Sequence, residues 1–129
     1  MEENLLDVVI LGEPASKSNS RRIVKSKNSG NRISIKSKKA LSYSESFKKQ
    51  IAQHAISPPL SGDLAIYVNV WYASRRPDLD IELIKDLLQG VVYLNDRQIK
   101  EQHSKHHLDK DNPRCRIVLR RADPNHSIL

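Results

Sequence analysis

A length of 129 residues, 38% of them hydrophobic and only 5% aromatic, fits one domain with a thin core, to which packing against a second copy would add. A net charge of +7 and a pI near 9.7 say little about fold but favour a polyanionic partner, nucleic acid first. The single cysteine, Cys115, excludes an intrachain disulfide, the acidic start Glu2-Glu3 is no signal peptide, and no apolar run is long enough to span a membrane. The expectation is a soluble cytoplasmic protein.

Leu5 to Leu11 is rich in Leu, Val and Ile and ends at Gly12-Glu13-Pro14, which reads as a buried strand. Residues 13–31 read as a basic loop: Lys17, Arg21, Arg22, Lys25 and Lys27 are interleaved with serines and asparagines, leaving little to bury. Within it Arg21 to Val24 suggests a short strand, and Arg32 to Lys36 alternates with period two as a second, half-exposed one. A helix is predicted over 39–55, from the spacing of Ala40, Tyr43, Phe47 and Ile51, with Ser37 or Ser42 as its cap and Ser57-Pro58-Pro59 as its stop.

Leu64 to Tyr72 is the clearest strand, with Leu64, Ile66, Val68, Val70 and Tyr72 on one face and Tyr67, Asn69 and Trp71 on the other. The sequence favours core roles over base stacking for Trp71 and Tyr72. A second helix is predicted over 79–89, with Ile81, Ile84 and Leu88 as its stripe and Gly90 at the left-handed position that ends it. Asn95-Asp96 is a turn. Residues 98–107 read as a strand polar on both faces, and therefore as an edge, a subunit contact or a surface under a ligand. Cys115 to Leu119 closes the sheet, and residues 122–129 read as a frayed tail.

The chemistry concentrates in Arg75-Arg76-Pro77-Asp78-Leu79-Asp80. Residues two apart on an extended segment project to the same side, whereas on a helix they diverge by about 200°. Pro77 favours extension of the residue before it, so Asp78 and Asp80 can face one point at the end of strand 64–72. Adjacent carboxylates resist ionisation unless a cation lies between them, and Mg²⁺, hard and oxygen-loving, suits them. Asp96, returned by the second helix and the Gly90 turn, would be the third acid. The competing explanation is that an Asp before a helix simply caps it. A calcium loop fails, since Leu83 and Gln89 stand where Gly and Glu are needed. His103, His106 and His107 lack the partners of a zinc motif.

The run from Asp78 to Ile99, namely Arg-Pro-Asp-Leu-Asp, a helix, then Gln-Gly-Val-Val-Tyr-Leu-Asn-Asp-Arg-Gln-Ile, resembles the RusA family of Holliday junction resolvases. The likeness extends more weakly over most of the chain. It implies a single α+β domain, a small mixed β-sheet with two main helices, acting as a homodimer that cuts four-way DNA junctions by paired symmetric nicks. It further implies Mg²⁺, with Mn²⁺ able to substitute, and products ending in 5′-phosphate and 3′-hydroxyl. The family's metal aspartates match Asp78, Asp80 and Asp96. Ile81 stands where the family usually has Asn, and Ile84 where it usually has Lys, with Lys85 next. Lys85 is thus the candidate catalytic lysine, alongside Arg97. Glu82 is either a further ligand or an exposed first-turn acid. Lys17, Arg21, Arg22, Arg75, Arg76 and Arg97 are the candidate DNA contacts. Two alternatives stand beside this reading: a DNA-binding protein without catalysis, and a metal nuclease for other branched or single-stranded DNA.

Overall fold

A computed structural model describes residues 3–15, 21–25 and 32–122. Four strands form the main sheet in the order β1 (Leu6–Leu11), β6 (Arg114–Arg121), β4 (Leu64–Tyr72), β5 (Ile99–Leu108). β6 runs antiparallel to both β1 and β4, while β5 runs parallel to β4, so the sheet is mixed and its elements are α+β. β2 (Arg21–Lys25) and β3 (Arg32–Lys36) pair with each other as a separate antiparallel ribbon, Arg22 opposite Ile35. Two short strands therefore stand within and beside the segment expected to be loop. Lys17 and residues 123–129 lie outside the described residues.

The parallel β4–β5 pairing needs a crossover, and helix α2 (Glu82–Leu88) supplies it. Helix α1 (Lys38–Ile51) begins where Ser37 Oγ accepts from the Ala40 N–H at 3.2 Å, which selects Ser37 over Ser42 as its cap. It stops at Ile51, short of the expected Ala55, and a single 3-10 turn over Ala52–His54 carries the chain out. Ala40, Tyr43, Phe47 and Ile51 are all buried against the sheet, as their spacing predicts.

The core lies on one side of the sheet. Leu64, Ile66, Val68, Val70 and Tyr72 of β4, Cys115, Ile117 and Leu119 of β6, and Leu6, Val8 and Ile10 of β1 face the two helices. Each such aliphatic group, fully buried, contributes about 1.5–3 kcal/mol. Among the described residues no helix covers the other face; there Val9 and Leu11 are about half exposed, at 50% and 55%. β5 is the sheet's edge, the first of the three readings open to a strand polar on both sides. Among the described residues no helix is long and apolar enough to cross a membrane.

Candidate active site

β4 ends at Tyr72 and the chain turns through Ala73 to Arg76 into the aspartates. Tyr72 is buried, and its hydroxyl donates to the Asp78 carbonyl at 3.3 Å, tying the start of the acidic segment to the end of the strand. Burial pushes the Tyr72 phenol above its ordinary value, and the negative charges of Asp80 and Glu13 act in the same direction. Asp78 to Ile81 is not helical. The predicted start of the helix at Leu79 is thus corrected to Glu82, with a physical cause. Asp80 Oδ1 accepts from the Glu82 N–H at 2.9 Å and satisfies an amide of the first turn. This is an Asx turn one residue ahead of the N-cap, Ile81, whose own side chain makes no cap bond, so Asp80 braces the entry to the helix without being its cap.

Glu13 belongs to this end of the molecule and went unnoticed in the sequence, where Gly12-Glu13-Pro14 signals only a strand end. Its Oε2 accepts from the Ala73 N–H at 2.8 Å and its Oε1 from Lys39 Nζ at 3.0 Å. Burial works to raise its pKa, but these two donors outweigh burial and hold the carboxyl below its ordinary value. The only cue was an acid directly after a buried strand; the 60-residue separation from Ala73 hid its partner.

Helix α2 buries Leu83, Ile84, Leu87 and Leu88 beneath it, together with Ile81 just before its first turn. Ile84, at the place of the family's usual lysine, is wholly buried and can take no part in chemistry. Lys85 projects differently: its Nζ lies 2.8 Å from Glu82 Oε1 and donates to Gln102 Oε1 at 2.8 Å. Its side chain is only 13% exposed, so the ammonium is held in place on the sheet-edge side of the helix. Glu82 is accordingly an exposed first-turn acid paired to Lys85.

Gly90, at φ +77°, turns the chain out of α2 as expected. Tyr93 returns beneath the helix, and its buried hydroxyl donates to the Lys85 carbonyl at 2.6 Å. Burial drives its phenol far above the ordinary value, and the charges of Asp96, Asp86 and Glu82 add to the effect. Asp96 opens a 3-10 turn over Asp96–Gln98, and two glutamines fix that turn. Gln89 Oε1 accepts from the Asp96 N–H at 3.0 Å. Gln98 Oε1 accepts from Leu94 and Asn95 N–H, both at 2.9 Å, while its Nε2 donates to the Leu60 and Gly62 carbonyls, also at 2.9 Å.

Asp78 and Asp80 stand just before α2 and Asp96 after it, while Glu13 is tied to Ala73 just beyond the end of β4. Among the described residues no three His, Cys, Asp or Glu side chains converge closely enough to hold a metal ion. The donor set at both ends is nonetheless all oxygen, which is the chemistry a hard divalent cation requires. Arg75, Arg76 and Arg97 are exposed on either side of the acids. Arg21 and Arg22 lie on β2. The histidines divide between sheet faces: His106 stacks on Tyr72 at 4.6 Å, while His103 and His107 stack on Tyr67 and Trp71 of the opposite face.

A family model described as Endodeoxyribonuclease RusA matches residues 12–120. The chain belongs to the RusA family. The match begins at Gly12 and ends at Arg120, so it takes in Glu13, all three candidate metal aspartates, both helices and the five strands that follow β1, but for Arg121 at the end of β6. Membership makes the chain one of a family of endodeoxyribonucleases. No curated protein matches the chain.

Proposed function

We propose that the chain is a Mg²⁺-dependent endonuclease, a single domain acting as a homodimer, that resolves four-way DNA junctions by paired symmetric nicks. The observation that carries this reading is the RusA match across residues 12–120, in a fold that sets carboxylates at both ends of a short helix and arginines beside them. Asp78, Asp80 and Asp96 would hold the ion, with Mn²⁺ able to substitute. When bound, such an ion lowers the pKa of a water molecule and stabilises charge on the phosphate.

The rest is done by the chain itself. Arg75, Arg76 and Arg97 offset the repulsion between carboxylates and the phosphate backbone, without which DNA would not approach. Lys85, pinned by Glu82 and Gln102, presents a fixed ammonium to charge that develops on the scissile phosphate. Lys17, Arg21 and Arg22 grip junction arms. Hydrolysis leaves a 5′-phosphate and a 3′-hydroxyl. A junction offers two equivalent strands, and a twofold dimer presents a site to each.

The test is cleavage of a labelled four-way junction and of a matching linear duplex by the purified chain in Mg²⁺ and in Mn²⁺. Paired nicks in the junction alone are expected. Binding without cleavage in either metal would favour a DNA-binding protein, and equal cutting of the duplex would favour a less selective nuclease.

A further inference from the structure

We propose that Glu13 is a positioning residue for the aspartate site: its carboxylate fixes the point at which β4 hands the chain over to Asp78 and Asp80. This rests on the nuclease reading above and adds to it a residue that is neither a metal aspartate nor a DNA contact.

The end of β4 shows where the tie acts. The Tyr72 carbonyl accepts from the Asp109 N–H at 2.8 Å, just beyond the paired residues of β5. The next amide, that of Ala73, donates instead to Glu13 Oε2, also at 2.8 Å. Ser74, Arg75 and Arg76 are then exposed, until the Tyr72 hydroxyl takes hold of the Asp78 carbonyl at 3.3 Å. An exposed stretch of chain is placed by its fixed ends. The direction in which Asp78 and Asp80 leave the strand therefore depends on the bond at Ala73.

Glu13 reaches Ala73 from a firm base. It stands two residues beyond β1, whose last residue is clasped by Gln50 of α1. The Leu11 N–H donates to Gln50 Oε1 at 2.8 Å, and Gln50 Nε2 donates to the Leu11 carbonyl at 3.0 Å. The Gly12 N–H donates to the Pro113 carbonyl at 2.9 Å. The second Glu13 oxygen accepts from Lys39 Nζ at 3.0 Å. That ammonium balances the carboxylate, so the tie adds little to the repulsion among the aspartates. With one oxygen given to each donor, Glu13 is engaged in holding backbone and helix rather than an ion. Groups that orient metal ligands from outside matter in this way, and their loss typically costs about 10–100-fold in metal affinity or activity.

Mn²⁺ is the probe. Its free fraction is read from the EPR signal of the hexaaqua ion, with the full chain and no DNA. Nicking of the labelled junction is measured beside it as Mg²⁺ is varied. Three variants separate position from charge. Glu13→Gln keeps an oxygen for the Ala73 amide and loses the charge. Glu13→Asp keeps the charge but withdraws the carboxylate by one carbon–carbon bond, about 1.5 Å, too far for a hydrogen bond of ordinary length. Lys39→Gln keeps Glu13 and removes its cation. In Glu13→Asp the Mn²⁺ dissociation constant and the Mg²⁺ needed for half-maximal nicking should both rise about 10-fold or more. In the other two variants both should stay near the unaltered values. Melting temperatures are recorded for all three, since a merely structural role would lower them without moving either metal measurement. Glu13 lies outside the hydrophobic core cluster, and Glu13→Ala provides a second loss of the tie should Glu13→Asp not fold. Unaltered Mn²⁺ binding once the tie is lost overturns this inference and leaves the nuclease reading standing. Glu13→Gln as weak as Glu13→Asp, or weaker, also overturns it, because charge and not position would then be what Glu13 supplies. An unaltered chain that neither binds Mn²⁺ nor nicks removes the nuclease reading and this inference with it.

Discussion

Asp80 has two jobs that a pair of substitutions can separate. Its Oδ1 accepts from the Glu82 N–H at 2.9 Å, and its charge faces the buried Tyr72 ring and the acidic end of the sheet. Asp80→Asn keeps an oxygen to accept from that amide, so only the interaction of charge with helix dipole is lost, about 0.3–1 kcal/mol. Asp80→Ala loses the hydrogen bond too, and a further 0.5–1.5 kcal/mol or so should follow. At this chain length each kcal/mol lowers the melting temperature by roughly 3–5 °C, so the two variants should be distinguishable by thermal denaturation. In a junction-nicking assay with Mg²⁺ both should be inactive, and Asp80→Asn should still bind the junction. If Asp80→Asn nicks like the unaltered chain, the metal role of Asp80 is wrong. If it melts as low as Asp80→Ala, the structural role of that hydrogen bond is wrong.

The turn carrying Asp96 gives a second test: Gln89→Ala removes the acceptor of the Asp96 N–H. It should raise the Mg²⁺ needed for half-maximal nicking by about 10-fold or more, as loss of groups supporting a ligand does, and an unchanged requirement would refute the positioning role. Gly90→Ala should destabilise by about 1–2 kcal/mol through backbone strain alone. φ is +77° there and no atom lies within 4 Å of the added carbon, so urea midpoints should fall while nicking by the folded protein persists. Asp7 is held below its ordinary value of 3.8, chiefly by the hydrogen bond from Arg116. That stabilisation is present above about pH 4 and is lost as pH falls through the depressed folded value, so Asp7→Asn should differ from the unaltered chain at pH 7, and the difference should shrink progressively as pH falls below 3.8. Burial pushes the Cys115 thiol up to about 11, so a thiol reagent at pH 8 should label it only after unfolding.

The sequence by itself determined the elements whose signal is local. Period-two alternation exposed β4, three-four spacing exposed the buried stripe of α1, and Gly90 marked the turn that the structure puts at positive φ. The resemblance over Asp78 to Ile99 pointed to the family that the match across residues 12–120 establishes. These features are encoded within a few residues of one another, where propensity and side-chain direction act directly.

What only the tertiary structure decided depends on partners far apart in the chain. Glu13 meets Ala73 across 60 residues, so nothing beside it announces its place near the aspartates. Helix α2 starts at Glu82 because the Asp80 side chain takes an amide that an apolar stripe read from Leu79 assigned to the helix. Trp71 and Tyr72 read alike in sequence, yet one lies against the Arg114 guanidinium on an open face and the other is sealed beneath the helices. The alternation of β4 separates the two rings by face, but which face the helices cover is settled by the packing of α1 and α2. The polarity of β5 became intelligible in the same way: it is the parallel edge of the sheet, and its His107 ring completes the Trp71 stack.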